Sequence, residues 1–291
     1  MARPQDLKTS GPQDLKPSGP QDLVDFAFSP CPNDTFAFHA LVHDLVGEIR
    51  VNPHIDDIEA LNIRAATEDA EVTKVSIAAY GHGLRDRYVL LRAGGAAGYG
   101  VGPILVARQQ REIGGRIAIP GERTTANLLL RLLGRFDTVA MRFDLIEDAV
   151  WRGDVDCGLL IHEGRFTYQK KGLTLLADLG TAWEERMQSP LPLAAIAIRR
   201  DLAPSLAPVV DRALRLSVEY AFSHPDASRE YVASLAQEMD PDVARRHIDL
   251  YVNDYTVKLD EAAVLKMLAW GEQQGIFPVC GTAERSIFTA T

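Results

Sequence analysis

The sequence predicts an α/β protein of two lobes, each built on a sheet flanked by helices, with a central cleft and a hinge that the chain crosses twice. Three observations lead there. The 291 residues exceed the ~250 at which a single hydrophobic core stops growing. Short apolar runs alternate with helical patterns as far as Ile198, the signature of parallel strands covered on both faces. Beyond about Pro204 the pattern turns helical throughout, which suits a run of helices returning to pack on the first lobe.

Taken in order, the apolar run Val24 to Phe28 reads as a strand, followed by a proline-rich loop and an amphipathic helix from about Thr35 to Val46. Val72 to Ile77 reads as the end of a strand entering a helix, and Tyr88 to Leu91 as the next strand. Gly94 to Gly102 is a glycine-rich connector, leading into a strand at Ile104 to Ala107. Strands at Arg116 to Ile119, Val139 to Phe143, Cys157 to Ile161 and Leu173 to Leu176 follow, with helices at Ala126 to Leu133 and Leu145 to Trp151. Leu193 to Ile198 is the last strand, and helices follow at Val209 to Phe222, Ala227 to Glu238, Asp242 to Val252 and Glu261 to Gln274. The apolar strands at Pro103 to Ala107 and Leu193 to Ile198 bracket a segment of one domain's size. The expected division is therefore 24–102 plus 200–291 as lobe 1 and 103–199 as lobe 2. That is the architecture of the periplasmic-binding-protein type II class, although alternation alone also permits two successive doubly wound domains.

Residues 4 to 23 repeat an eight-residue unit, Pro-Gln-Asp-Leu followed by Lys and a Ser-Gly pair. A unit so short and so rich in Pro and Gly buries too little apolar surface to offset its ordering entropy, so residues 1–23 read as a disordered tail. The tail has no basic segment leading into an apolar stretch and does not read as a signal peptide. A cytoplasmic location is expected.

Composition narrows the function classes. Hydrophobic residues make up 46% and charged residues 24%, with 31 Lys+Arg against 40 Asp+Glu for a net charge of −9. An acidic balance argues against nucleic acid or a membrane surface as partner, and no apolar run reaches the ~20 residues that span a bilayer. A small-molecule substrate is the expected partner, with a homo-oligomer left open. Cys31, Cys157 and Cys280 fit neither a disulfide framework nor a zinc-ligand spacing, and the histidines show no HExxH-like pair, so neither metal nor cofactor is expected.

Ligands of α/β folds bind where strand ends meet helix N-termini, and four such turns carry unusual polar residues. In Ser29-Pro30-Cys31-Pro32-Asn33-Asp34-Thr35, two prolines stiffen a loop offering Ser29, Asn33 and Asp34; simple helix capping by Asn33 or Asp34 is the competing account. Cys31 is read as packing. In Thr73-Lys74-Val75-Ser76, Lys74 suits an anion and Ser76 a donor, against a solvated lysine and a capping serine. In Pro120-Gly121-Glu122-Arg123-Thr124-Thr125, two hydroxyls and a helix start suit a carboxylate, although capping explains one threonine. Finally, an apolar strand ends at His162, a residue able to act as a neutral base, although a hydrogen-bonded structural histidine at a strand end is the commoner account of such a residue. Glu163 points to the opposite face of an extended chain, so any orienting partner of His162 comes from elsewhere. Gly98-Tyr99-Gly100-Val101-Gly102-Pro103 mimics a dinucleotide fingerprint, but Pro103 replaces the third glycine and a strand follows, which rules out NAD.

Together, Ser29-Pro30-Cys31-Pro32-Asn33-Asp34-Thr35-Phe36, Thr73-Lys74-Val75-Ser76, Thr124-Thr125-Ala126 and Ile161-His162-Glu163 with Arg165-Phe166-Thr167-Tyr168 resemble the 1,4-dihydroxy-6-naphthoate synthase family. Arg87-Tyr88, Gly94-Gly95, Trp183-Glu184-Glu185-Arg186 and Tyr251-Val252-Asn253 fit the same pattern, over Val24 to Gln274. The resemblance implies a periplasmic-binding-protein-like fold used as a cofactor-free lyase of the futalosine route to menaquinone. Its expected reaction converts cyclic dehypoxanthinylfutalosine into 1,4-dihydroxy-6-naphthoate and dihydroxyacetone. It also implies His162 as proton acceptor and Lys74, Val75, Ser76, Thr124 and Thr125 as substrate contacts. Ile77 stands where the family pattern has an aromatic residue, which puts one pocket wall in question. The competing account is a non-catalytic solute-binding protein for a small aromatic or organic acid, which would have no turnover to lose with His162. An effector-binding domain of a regulator would need a DNA-binding module that the tail is too short to supply.

Overall fold

The computed structural model describes residues 23–67, 70–236, 240–279 and 286–289. The tail expected over 1–23 and Cys280 lie outside these residues, except Leu23, which opens the first strand. In chain order the first half comprises β1 (Leu23–Phe28), α1 (Pro32–Val42), β2 (Arg50–Ile55), α2 (Ile58–Ala66), β3 (Val72–Ser76), α3 (Ile77–Ala79), β4 (Tyr88–Leu90) and β5 (Ala96–Gly98). The middle comprises β6 (Ile104–Ala107), β7 (Arg116–Ile119), α4 (Thr125–Leu130), β8 (Asp137–Ala140), α5 (Ile146–Arg152), β9 (Cys157–Leu160), α6 (Gly164–Thr167), β10 (Thr174–Asp178) and α7 (Leu179–Met187). The chain ends with β11 (Leu191–Arg199), α8 (Ala203–Ser223), α9 (Arg229–Leu235), α10 (Pro241–Tyr251), α11 (Asp254–Val257) and α12 (Glu261–Gln273). Among the described residues no helix is long and apolar enough to cross a membrane.

Two sheets result. One runs β2-β1-β3-β11-β4, with β5 also paired to β11; the other runs β10-β6-β9-β7-β8. The chain leaves the first sheet after β5 and returns to it with β11. Both sheets are mixed rather than parallel: β11 is antiparallel to β3, β4 and β5, and β6 is antiparallel to β9 and β10. The parallel pairs are β1 with β2 and β3, and β7 with β8 and β9. β11, expected to close the second lobe, belongs instead to the first sheet. Its sequence Leu-Pro-Leu-Ala-Ala-Ile-Ala-Ile is apolar on both faces, as befits a central strand buried between β3 and β4.

Elements missed in the sequence have identifiable causes. β2 contains Pro53 and alternates polar with apolar residues, which only an edge strand tolerates, and it is the edge. β5 is Ala-Ala-Gly and carries no branched or aromatic signal. α1 begins at Pro32 rather than Thr35, because proline is pre-shaped for the first helical position. The helical C-terminal region packs as expected on the first lobe: Ser217 of α8 accepts from Leu41 N at 3.0 Å and donates to Ala37 O at 2.8 Å, both within or beside α1's core face. Residues 286–289, to which the sequence assigned no role, add to the edge of β4 through Leu90 N to Ile287 O (2.8 Å) and Thr289 N to Leu90 O (3.1 Å).

The two crossings between sheets touch backbone to backbone. A Cβ on Gly102 would lie 2.2 Å from the Cα and N of Gly180, a distance no side chain tolerates, so glycine is required there. The surrounding connector is fastened by residues of the family pattern. Gly100 N donates to Glu184 Oε1 (2.6 Å), Asn253 Nδ2 to Ala97 O (3.0 Å), and Arg165 Nη1 to Gly102 O (2.7 Å) while its Nη2 meets Asp178 Oδ2 (2.5 Å).

Candidate active site

Between the sheets lies a cavity with about 620 Å³ of empty space, counting the solvent at its mouth. Ser29, Asn33, Lys74, Ser76, Thr124, Thr125 and His162 all line it, so four turns far apart in sequence meet at one place. Ile58, Ala96, Val101, Pro103, Ala126, Ile161, Leu193 and Ala194 supply apolar walls, the usual make-up of a site for a ring-bearing ligand. Two expected residues do not line it. Val75 alternates with Lys74 and Ser76 along β3, and its side chain is sealed in the core. Asp34 sits behind the wall, against Lys74. Ile77 is likewise buried in the core and is no pocket wall.

Because α1 starts at Pro32, Asn33 and Asp34 are first-turn residues rather than caps, and Cys31 holds the N-cap position without a side-chain hydrogen bond. Asn33 thereby reaches the cavity wall, and Asp34 supports that wall from behind. Asp34 accepts from Ser29 N (3.2 Å) and Ser29 Oγ (2.6 Å), from Asn33 Nδ2 (2.8 Å), and from the Lys74 ammonium in a buried ion pair. Lys74 is thus neither solvated nor unpaired. An ammonium has three donors, so the pair leaves Lys74 capacity toward the cavity. Ser76 is held by Asn62, which donates to its Oγ (3.0 Å) and accepts from its N (2.9 Å).

The threonine loop is tied to α2 by Arg123 N donating to Glu59 Oε1 at 3.1 Å. Thr124 is the N-cap of α4, accepting from Asn127 N (3.2 Å) and donating to Gly121 O (2.8 Å). Thr125 donates to Leu193 O (2.7 Å) and accepts from Ala78 N (3.3 Å). Both hydroxyl protons are spent on carbonyls. A ligand anion at this loop would therefore meet backbone amides of the helix start, not the threonine hydroxyl donors expected from sequence.

His162 follows β9 with φ +54°, a left-handed conformation that histidine adopts more readily than most side chains. Its ring lies edge-on to Phe143 at 5.0 Å and stacks near His247 at 6.0 Å. The orienting partner that sequence could not supply is Cys31, whose Sγ stands 3.2 Å from His162 Nδ1. Burial, reinforced by the Glu163 and Asp34 carboxylates, pushes the Cys31 thiol well up, so it serves as a neutral hydrogen-bonding group. Glu163 faces a second cavity with Glu147, Thr167 and Lys171. His162 Nε2 is buried with no hydrogen-bond partner among the described residues. Burial first, and the Lys74 charge second, push the His162 pKa down to about 3.

His247 was missed, as was Tyr251; both line the cavity. The signal was present: Val243, His247 and Tyr251 recur at i, i+4 and i+8 and form the buried face of α10.

A neutral buried histidine makes stability pH-dependent with a definite sign. The unfolded chain takes up the His162 proton near pH 6.5 and the folded one only near 3. This contribution is complete above about pH 6.5 and is lost progressively as pH falls toward 3. Between pH 7 and 5 the expected loss is about 2 kcal/mol from this residue. Urea unfolding at both pH values should show the drop shrinking by that amount in His162→Asn; an unchanged drop would place the linkage elsewhere.

A family profile described as menaquinone biosynthesis matches residues 24–272. A protein of Thermus thermophilus named 1,4-dihydroxy-6-naphthoate synthase is 46% identical over 256 residues, covering 86% of this chain and 94% of that protein. One of the same name from Streptomyces coelicolor is 44% identical over 275 residues, covering 89% and 96%. A crystal structure of an Archaeoglobus fulgidus protein superposes with TM-score 0.82 at 40% identity, covering 87% of this chain and 98% of that one. The alkanesulfonate-binding protein of Xanthomonas axonopodis, at 14% identity and TM-score 0.66 over 88% of this chain and 94% of that one, shares the periplasmic-binding-protein fold.

Proposed function

The chain belongs to the menaquinone biosynthesis family as a lyase of the 1,4-dihydroxy-6-naphthoate synthase type, and on that premise we propose that it converts cyclic dehypoxanthinylfutalosine into 1,4-dihydroxy-6-naphthoate and dihydroxyacetone with His162 as proton acceptor. One observation carries the assignment of the base: a neutral histidine whose Nε2 is buried without a partner in the cavity wall. Burial and the Lys74 charge keep the ring neutral with its lone pair open, and a ligand anion beside it would raise its pKa toward that of a working base. Proton removal initiates cleavage of the carbon–carbon bond to the three-carbon unit, and aromatisation of the remaining ring completes the reaction. The apolar walls match the fused ring. The first-turn amides of α4 and the spare donors of Lys74 suit the carboxylate or a developing oxyanion. Approach of the two sheets about their double crossing would exclude water from the intermediate.

The test is a single-turnover reaction of purified protein with cyclic dehypoxanthinylfutalosine, followed by absorbance and mass. Formation of both the naphthoate and dihydroxyacetone is expected. Tight binding of the substrate without product would sink the lyase assignment of this substrate and put a solute-binding role in its place.

A further inference from the structure

A second histidine stands in the same cavity wall with its tautomer dictated by its neighbours. Asp34, paired with Lys74, is an acceptor, and Asn33 Nδ2 lies 2.8 Å from its Oδ1. Asn33 must therefore present its amide N–H₂ to Asp34, which leaves its Oδ1 as an acceptor. His247 Nε2 is 2.9 Å from that Oδ1 and so must carry the ring proton. Nδ1 of a neutral His247 is then a bare lone pair, and it is buried with no hydrogen-bond partner among the described residues. The residue itself is only 1% exposed and lines the cavity beside His162 and Tyr251. Leaving such an acceptor unsatisfied costs free energy that a ligand donor would restore.

We propose that His247 is a second substrate-contacting residue, whose Nδ1 accepts a hydrogen bond from a hydroxyl of the substrate and so selects a donor at that position over a carbonyl or carboxylate. The identity of that substrate rests on the synthase reading above. Burial and the nearby His162 and Lys74 hold the ring neutral, its pKa well below the ordinary value. An acceptor there turns a carboxylate away, so the anionic end of the ligand must lie elsewhere, as the Lys74 ammonium in the same cavity wall allows. The chain Lys74, Asp34, Asn33, His247 thus carries the sign of one buried ion pair to the hydrogen-bonding polarity of a wall two side chains away.

Two measurements decide it. In ¹⁵N-histidine-labelled, substrate-free protein, the His247 ring should show the Nε2–H tautomer with an unprotonated Nδ1; an Nδ1–H ring overturns the proposal. In the second, His247→Gln and His247→Asn are compared with wild type for kcat and KM. Glutamine places its amide nitrogen near the position of Nε2 and keeps the bond to Asn33, but has nothing at Nδ1. A direct contact therefore predicts that His247→Gln loses roughly 10–100-fold in kcat/KM at nearly unchanged Tm. A purely structural brace predicts rescue by glutamine, and activity within threefold or so of wild type would overturn the contact. If wild type itself fails to turn over cyclic dehypoxanthinylfutalosine, the synthase reading falls, while an Nδ1–H ring in substrate-free protein would still overturn this one.

Discussion

His162→Asn protein is expected to bind cyclic dehypoxanthinylfutalosine with near wild-type affinity and to form naphthoate roughly 10²–10⁴-fold more slowly, the usual contribution of a general base. Asparagine is the informative replacement because it tolerates the left-handed backbone that His162 occupies at φ +54°. It also leaves a polar atom near Nδ1, where Cys31 Sγ stands at 3.2 Å, but nothing at Nε2. Rapid mixing of enzyme in excess over substrate separates binding from chemistry. A variant that turns over at the wild-type rate would keep the lyase and remove His162 as its base. A variant that no longer binds would make His162 a contact for the ground state instead.

The largest effect on stability is expected at the pair behind the cavity. Side chains of Lys74 and Asp34 are only 5% and 2% exposed, and removing one partner strands a charge away from water. Asp34→Asn and Lys74→Met should each destabilise by about 3–5 kcal/mol. The double variant should recover much of that loss, since neither charge then remains. Urea unfolding of the three proteins measures this directly; additive losses in the double variant would mean that the pair carries no coupling. Activity should not recover with stability. Without Asp34 the Asn33 amide loses the acceptor that fixes its orientation, and His247 loses its imposed tautomer.

Much of the architecture was written in the chain's periodicity. The strands that became β1, β4, β6, β7, β9 and β11 are compact apolar runs, buried over most of their lengths, and burial is what an apolar run encodes. The four polar turns were legible for a related reason: prolines, hydroxyls and a histidine at strand ends are poorly explained by packing, and all four meet at one cavity. The edge strand β2 and the three-residue β5 were illegible because edge positions and small residues leave no hydrophobic signal. Strand direction was illegible too, since periodicity records which face is buried and not which way the neighbour runs.

The sequence by itself determined the class of the fold, the two-lobed alternation and the residue types that converge on the site. Only the tertiary structure decided what each of those residues does there. It turned Asn33 and Asp34 from caps into a buried relay by starting α1 at Pro32. It spent both threonine hydroxyl protons on carbonyls, gave His162 a thiol for a partner, and brought His247 in from α10, 85 positions along the chain from His162. The physical reason is common to all of these. Side-chain chemistry is local, but whether a donor, an acceptor or a charge is satisfied depends on partners that long-range packing alone supplies.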